Sequence, residues 1–103
     1  MNAEQFVSEP IEPRRGSFDA AGMARGEPGL PRRFTWRQTE YEVDELLEAW
    51  TTSSPEGGHG EMYLRRHWFK LRTTDGTTMT IYCERQPKPG QSARRRWWVY
   101  SVG

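Results

Sequence analysis

Apolar and polar residues alternate through most of the second half of the chain, a period of two that predicts strands. In "YLRRHWFKLRTTDGTTMTIYCER" the turn signal Asp75-Gly76 separates two such runs. A two-residue turn there would oppose Leu71 to Thr80 and Lys70 to Ile81, mixing the faces. A three-residue loop, Thr74-Asp75-Gly76 with Gly76 left-handed, opposes Leu71 to Met79, Phe69 to Ile81 and His67 to Cys83. The three-residue loop is preferred, because it gathers one mostly apolar face and a slip of one residue would turn that face to water. The other face then carries Trp68, Lys70 and Arg72 opposite Tyr82, Thr80 and Thr78. After the loop "RQPKPGQSAR", residues 95–102 predict a last strand. There Trp97, Val99 and Ser101 alternate with Trp98, Tyr100 and Val102, and both sets are largely apolar.

In the first half the pattern changes period. Phe34 and Trp36, then Tyr41 and Val43, alternate with polar residues, and a two-residue turn at Gln38-Thr39 places all four on one face. A rival reading starts a helix early, since Thr39 and Glu42 fit a capping box. In either case Val43, Leu46, Leu47 and Trp50 follow i, i+3, i+4, i+7, so a short helix is predicted near 44–51. Residues 1–32 read as an N-terminal arm. "EPRRGSFDAAGMARGEPGLPR" (12–32) has neither period and predicts a flexible loop, while residues 5–12 fit a short edge strand, the one place that tolerates Pro10. Residues 33–103 form a single small domain. The predicted architecture is mainly β, a four- to five-stranded antiparallel meander curled into a small half-barrel with one short helix.

Composition sharpens this picture. Aliphatic residues are scarce, but five Trp, four Tyr and four Phe supply large buried areas, so the core is aromatic. Net charge is only +1, yet residues 1–60 carry six Arg against eleven acids and residues 61–103 nine Lys or Arg against three. Such asymmetry marks either an acidic and a basic face or two halves that neutralise one another in the fold. The single cysteine, Cys83, excludes a disulfide within the chain. The start "MNAEQFVSEP" lacks the features of a signal peptide, and no apolar run reaches the ~20 residues of a membrane span. A soluble cytoplasmic protein with no membrane association is the expectation.

The segments "EPI", "FTWRQTEYEV" followed by a Trp, "TTDG" and "RWWVYSV" resemble a bacterial small β domain family of unknown function. The Arg-rich strand, the Asp-Gly hairpin and the terminal "RWWV" strand are also similar to the C-terminal segment of some actinobacterial Y-family DNA polymerase-like proteins. The resemblance covers roughly residues 9–102. It implies a β fold and, loosely, a setting in DNA damage tolerance, and it brings no assigned activity.

The chemistry in the sequence argues against an enzyme. His67 and Cys83 are cross-strand partners but sit on the predicted core face, where a thiol behaves as a small hydrophobe. Metal binding would need three or four converging ligands, and besides carboxylates only Cys83, His67 and His59 are available. Glu40, Glu42, Asp44, Glu45 and Glu48 read as a solvated acidic face. "EGGHG" lacks the Lys and Ser or Thr of a phosphate-binding loop. No cofactor is expected. Binding remains, in two forms. Single-stranded nucleic acid would stack on Trp68, Tyr82, Trp98 and Tyr100, with Arg65, Arg66, Lys70, Arg72, Arg94, Arg95 and Arg96 reaching phosphates. A protein partner, or a second copy of the chain, would instead meet an exposed aromatic patch. Against both stands simple core packing of these rings, with Phe6, Val7, Ile11 and Phe18 covering an outer face. Trp98 is the ring expected to reach solvent.

Overall fold

The computed structural model of the protein describes residues 4–19, 29–55, 63–84 and 97–103. They form β1 (Gln5–Pro10), β2 (Glu12–Pro13), β3 (Arg33–Trp36), β4 (Thr39–Pro55), β5 (Tyr63–Thr73), β6 (Thr78–Glu84) and β7 (Trp97–Val102). The strands lie in the order β1-β7-β6-β5-β4-β3-β2, and all pairings are antiparallel. The outermost strands, β1 and β2, are separated in sequence only by Ile11, so the sheet rolls until both edges meet one segment of chain. Ile11 donates its N–H to the Trp97 carbonyl (3.0 Å), and Arg14 donates to that of Arg33 (2.8 Å). An antiparallel half-barrel results.

Its concave face holds Ile11, Leu30, Phe34, Trp36, Val43, Phe69, Leu71, Met79, Ile81, Cys83, Trp97 and Val99. The β5–β6 register is Leu71 to Met79, Phe69 to Ile81 and His67 to Cys83, as the alternation predicts. Gly76 closes the three-residue loop at φ 87°, a left-handed conformation that glycine adopts without steric cost. The buried Thr73 hydroxyl donates to Asp75, which also accepts from the Thr77 N–H (3.1 Å). These bonds lower the Asp75 carboxyl below its usual range.

Four expectations are corrected. Among the described residues the strands number seven rather than four or five, residues 44–51 are strand, and there is no helix. The reason lies in two bulges. Val43 faces Thr73, Leu46 faces Leu71 and Ala49 faces Phe69, with the register shifting in each interval. A period of two plus one inserted residue gives a spacing of three, which imitates the i, i+3 rhythm of a helix. Leu46 and Leu47 stay 42% and 43% exposed.

The β3–β4 turn falls at Arg37-Gln38, one residue earlier than expected, with Trp36 opposite Thr39 and Phe34 opposite Tyr41. Both turn residues have positive φ, 51° and 66°, which side chains other than Gly, Asn and Asp resist. Glu9 on β1 holds the turn in place. Its carboxylate accepts from Arg37 Nε (2.9 Å), Arg37 NH2 (2.8 Å) and Trp36 Nε1 (2.8 Å), and the guanidinium lies 4.6 Å from the Trp36 ring centroid. The bonds from Arg37, then that from Trp36, lower the Glu9 carboxyl from 4.5 to about 2. A depressed carboxyl stabilises the fold fully above its unfolded value and loses that contribution as pH falls toward its folded value. Wild type is therefore expected to exceed Glu9→Gln in melting temperature at pH 7, with the gap closing between pH 4.5 and about 2. A gap unchanged across that window would show that the charge on Glu9 is not what holds the turn.

The N-terminal segment also departs from its expected place. Val7 and Ile11 pack into the concave core, and Phe18 lies 6.1 Å from Trp97. Phe6 alone of the four meets the convex face, at 5.3 Å from Tyr100. Leu30 and Pro31 are buried, and Phe18 bridges to Pro31. No helix among the described residues is long and apolar enough to cross a membrane.

Candidate functional site

With the concave face filled, the side chains left for chemistry stand on the convex one. β7 decides which of the terminal aromatics reach it. Thr80 pairs with Ser101 and Ile81 with Val99, so Tyr100 is an inserted residue. Trp97 and Val99 turn inward at 7% and 0% exposure, while Trp98 is half-buried and Tyr100 is 36% exposed. Ser101 shares the outer face with Thr80, and Val102 packs on the core.

On that face the rings form a continuous strip. Trp50 and Trp68, direct cross-strand partners, stack at 5.9 Å with planes 2° apart. Tyr100 stands edge-on to Trp68 (5.1 Å, 88°), and Phe6 follows it. Tyr82 lies beneath, 4.7 Å from Trp68 and 6.3 Å from Trp98, and is only 7% exposed. Burial pushes its phenol above the ordinary value of 10. Trp68 is fixed by a hydrogen bond from Nε1 to the Thr52 hydroxyl (2.8 Å). Between the exposed rings is an open cleft of about 320 Å³, walled by Trp50, Trp68 and Tyr100 and bordered by Glu4, Glu48 and Lys70.

The cations of this face are largely engaged. Arg72 is held by Glu45 and lies 3.6 Å from Asp44. Arg66 lies 3.6 Å from Glu84 and 4.9 Å from the Tyr82 ring centroid. Lys70 lies opposite Glu48 in the ladder. Among the described residues, Glu4, Asp44, Glu45, Glu48 and Glu84 outnumber Arg66, Lys70 and Arg72 on and beside the face. Arg65 is on β5 opposite Ser53, its side chain outside the described part, and Arg94, Arg95 and Arg96 lie outside the described residues.

A family model spans residues 1–103, the whole chain. The protein belongs to the family described as Domain of unknown function, DUF6504. No curated protein and no solved structure matches it.

This DUF6504 chain brings together Trp68, Lys70, Arg72 and Tyr82, which strand alternation places on one face, with Trp98 and Tyr100, which join it because Trp97 and Val99 turn inward. The solvent-facing ring is not Trp98, however. Trp98 is half-buried against Tyr82, with its Nε1 buried and without a hydrogen-bond partner among the described residues, while Trp50, Tyr100 and Phe6 are more open. Trp50, Glu4 and Glu48 escape the sequence reading: the helix-like spacing assigns Trp50 to a core-facing stripe, and Glu4 lies far off in the N-terminal arm. Cys83 is 1% exposed in the concave core, and its cross-strand partner His67 faces Thr51 (3.4 Å).

Proposed function

We propose that this domain is a non-enzymatic protein-interaction module whose convex aromatic face receives a segment of a partner protein. The observation that carries this reading is the exposure of Trp50, Tyr100 and Phe6 beside Trp68, in one strip whose described arginines, Arg66 and Arg72, are already paired with carboxylates. Apolar rings in a contiguous exposed patch favour a protein surface. A single nucleic-acid strand needs free cations beside its stacking rings. Among the described residues the acids prevail there, so the charge complement is a basic polypeptide. The damage-tolerance setting implied by the resemblance suits a module that holds one protein beside another.

The test is selection from a random dodecapeptide library, with a dodecathymidine titration alongside, both read by tryptophan fluorescence. Selected peptides are expected to bind wild type and to weaken roughly tenfold or more in Trp50→Ala/Tyr100→Ala. That variant should melt close to wild type, since both rings lie outside the core. Dodecathymidine should leave the fluorescence unchanged at low salt. If dodecathymidine quenches at low salt and loses the effect as salt rises, the face binds nucleic acid and the proposal fails. It fails equally if no selected peptide depends on the two rings.

A further inference from the structure

The fold uses one recognition chemistry repeatedly. At the β3–β4 turn, the Arg37 guanidinium lies over the Trp36 ring while its Nε and NH2 bond to the Glu9 carboxylate. On the convex face, Arg66 lies over the Tyr82 ring and beside the Glu84 carboxylate. Both are trios of a ring, a cation and an acid, in which attraction to the ring and the ion pair act on the same guanidinium. The cleft of about 320 Å³ has the rings and acids of a third trio: Trp50, Trp68 and Tyr100 with Glu48 and Glu4. No arginine of the described residues enters it.

Its one cation, Lys70, makes no close ion pair with either acid among the described residues. Glu4 is positioned by the Ser101 hydroxyl, which donates to it at 2.8 Å. With two carboxylates against one ammonium, the described lining of the cleft carries a net negative charge beside exposed aromatic faces. We propose that it is a subsite for an arginine side chain of the partner segment, the guanidinium lying on the Trp50–Trp68 wall and pairing with Glu48 and Glu4. Guanidinium fits better than ammonium because it is planar, weakly hydrated and able to stack while its edge donates to carboxylate. The proposal rests on the protein-interaction reading and names what that interaction recognises.

The experiment uses capped hexa-arginine and capped hexa-citrulline, neutral and nearly isosteric, titrated into the full chain and followed by tryptophan fluorescence and indole N–H shifts. Hexa-arginine is expected to bind, and hexa-citrulline at least about tenfold more weakly. Glu4→Gln/Glu48→Gln, which keeps size and polarity at two exposed positions, should weaken hexa-arginine several-fold. Lys70→Met should tighten it by removing a like charge, a sign opposite to that expected of a phosphate-binding lysine. Equal binding of the two peptides, indifference to the Glu4/Glu48 change, or weakening in Lys70→Met would each overturn the subsite. If library peptides bind through Trp50 while hexa-arginine does not bind, this inference fails and the interaction reading stands. If neither binds, both fail.

Discussion

Trp97→Ala is expected to cost about 3–5 kcal/mol of stability, and Trp98→Ala, one residue on, about 1–2 kcal/mol. The two rings are chemically identical and sit on opposite faces of β7. Trp97 is 7% exposed, stacks on Phe69 at 5.8 Å and touches Phe18, so its removal opens a cavity where β1, β5 and β7 meet. The Trp97 carbonyl also accepts the Ile11 N–H, at the point where the chain passes from one sheet edge to the other. Trp98 keeps one ring against Tyr82 and is only half-buried, so less contact is lost. Domains of this size have about 5–15 kcal/mol in total, so the first change consumes from about a fifth to nearly all of it. Urea denaturation of both variants checks the claim. Equal costs, or a larger cost for Trp98, would mean that the inward and outward faces of β7 are reversed.

The second half of the chain was legible because one physical rule governed it. Burial on one side of a sheet forces period two, and the loop at Asp75-Gly76 fixed which residues lie opposite one another. Hence the inward set Phe69, Leu71, Met79, Ile81 and Cys83 and the outward set Trp68, Lys70, Arg72, Thr80 and Tyr82 could be read from spacing alone. The first half obeyed the same rule with insertions. Two bulges in β4 turned a period of two into three, and single-sequence periodicity does not separate that from a helix. The β3–β4 turn was obscured for another reason. Its strained residues are Arg37 and Gln38; Arg37 is held by Glu9, 28 residues away, and no local signal reports such a partner.

The same distinction separates the legible from the hidden part of the site. Trp68 follows from alternation, whereas for Tyr100, on a strand apolar on both faces, alternation leaves the orientation open. Trp50 joins them only because the bulges carry β4 to the register in which Trp50 opposes Trp68. Glu4 joins because the rolled sheet lays β1 beside β7, which sets Gln5 opposite Val102 and brings Glu4 to Ser101. The rolling that lays β1 beside β7 thus also assembles the acidic border of the cleft. Fold and candidate site share one cause.

Arg66→Met is expected to cost about 1–3 kcal/mol, and adding Glu84→Leu is expected to restore part of it. The Glu84 side chain is only 4% exposed, and Arg66, 30% exposed, lies between it and the Tyr82 ring. Taking the guanidinium away strips a buried carboxylate of that cation, a change that typically costs more than the intact pair contributes. Replacing both partners by apolar groups removes the desolvation penalty together with the attraction, so the double variant should return toward wild type. A double-mutant cycle by denaturation measures the coupling. Additive losses would refute it. The cycle also bears on function, because Arg66→Met by itself would mimic the loss of a phosphate contact while in fact unsettling the fold. Arg66→Met/Glu84→Leu keeps the fold without the cation. On the interaction reading it should bind the selected peptides as wild type does, because Arg66 supports Tyr82 from beneath the strip and does not line the cleft.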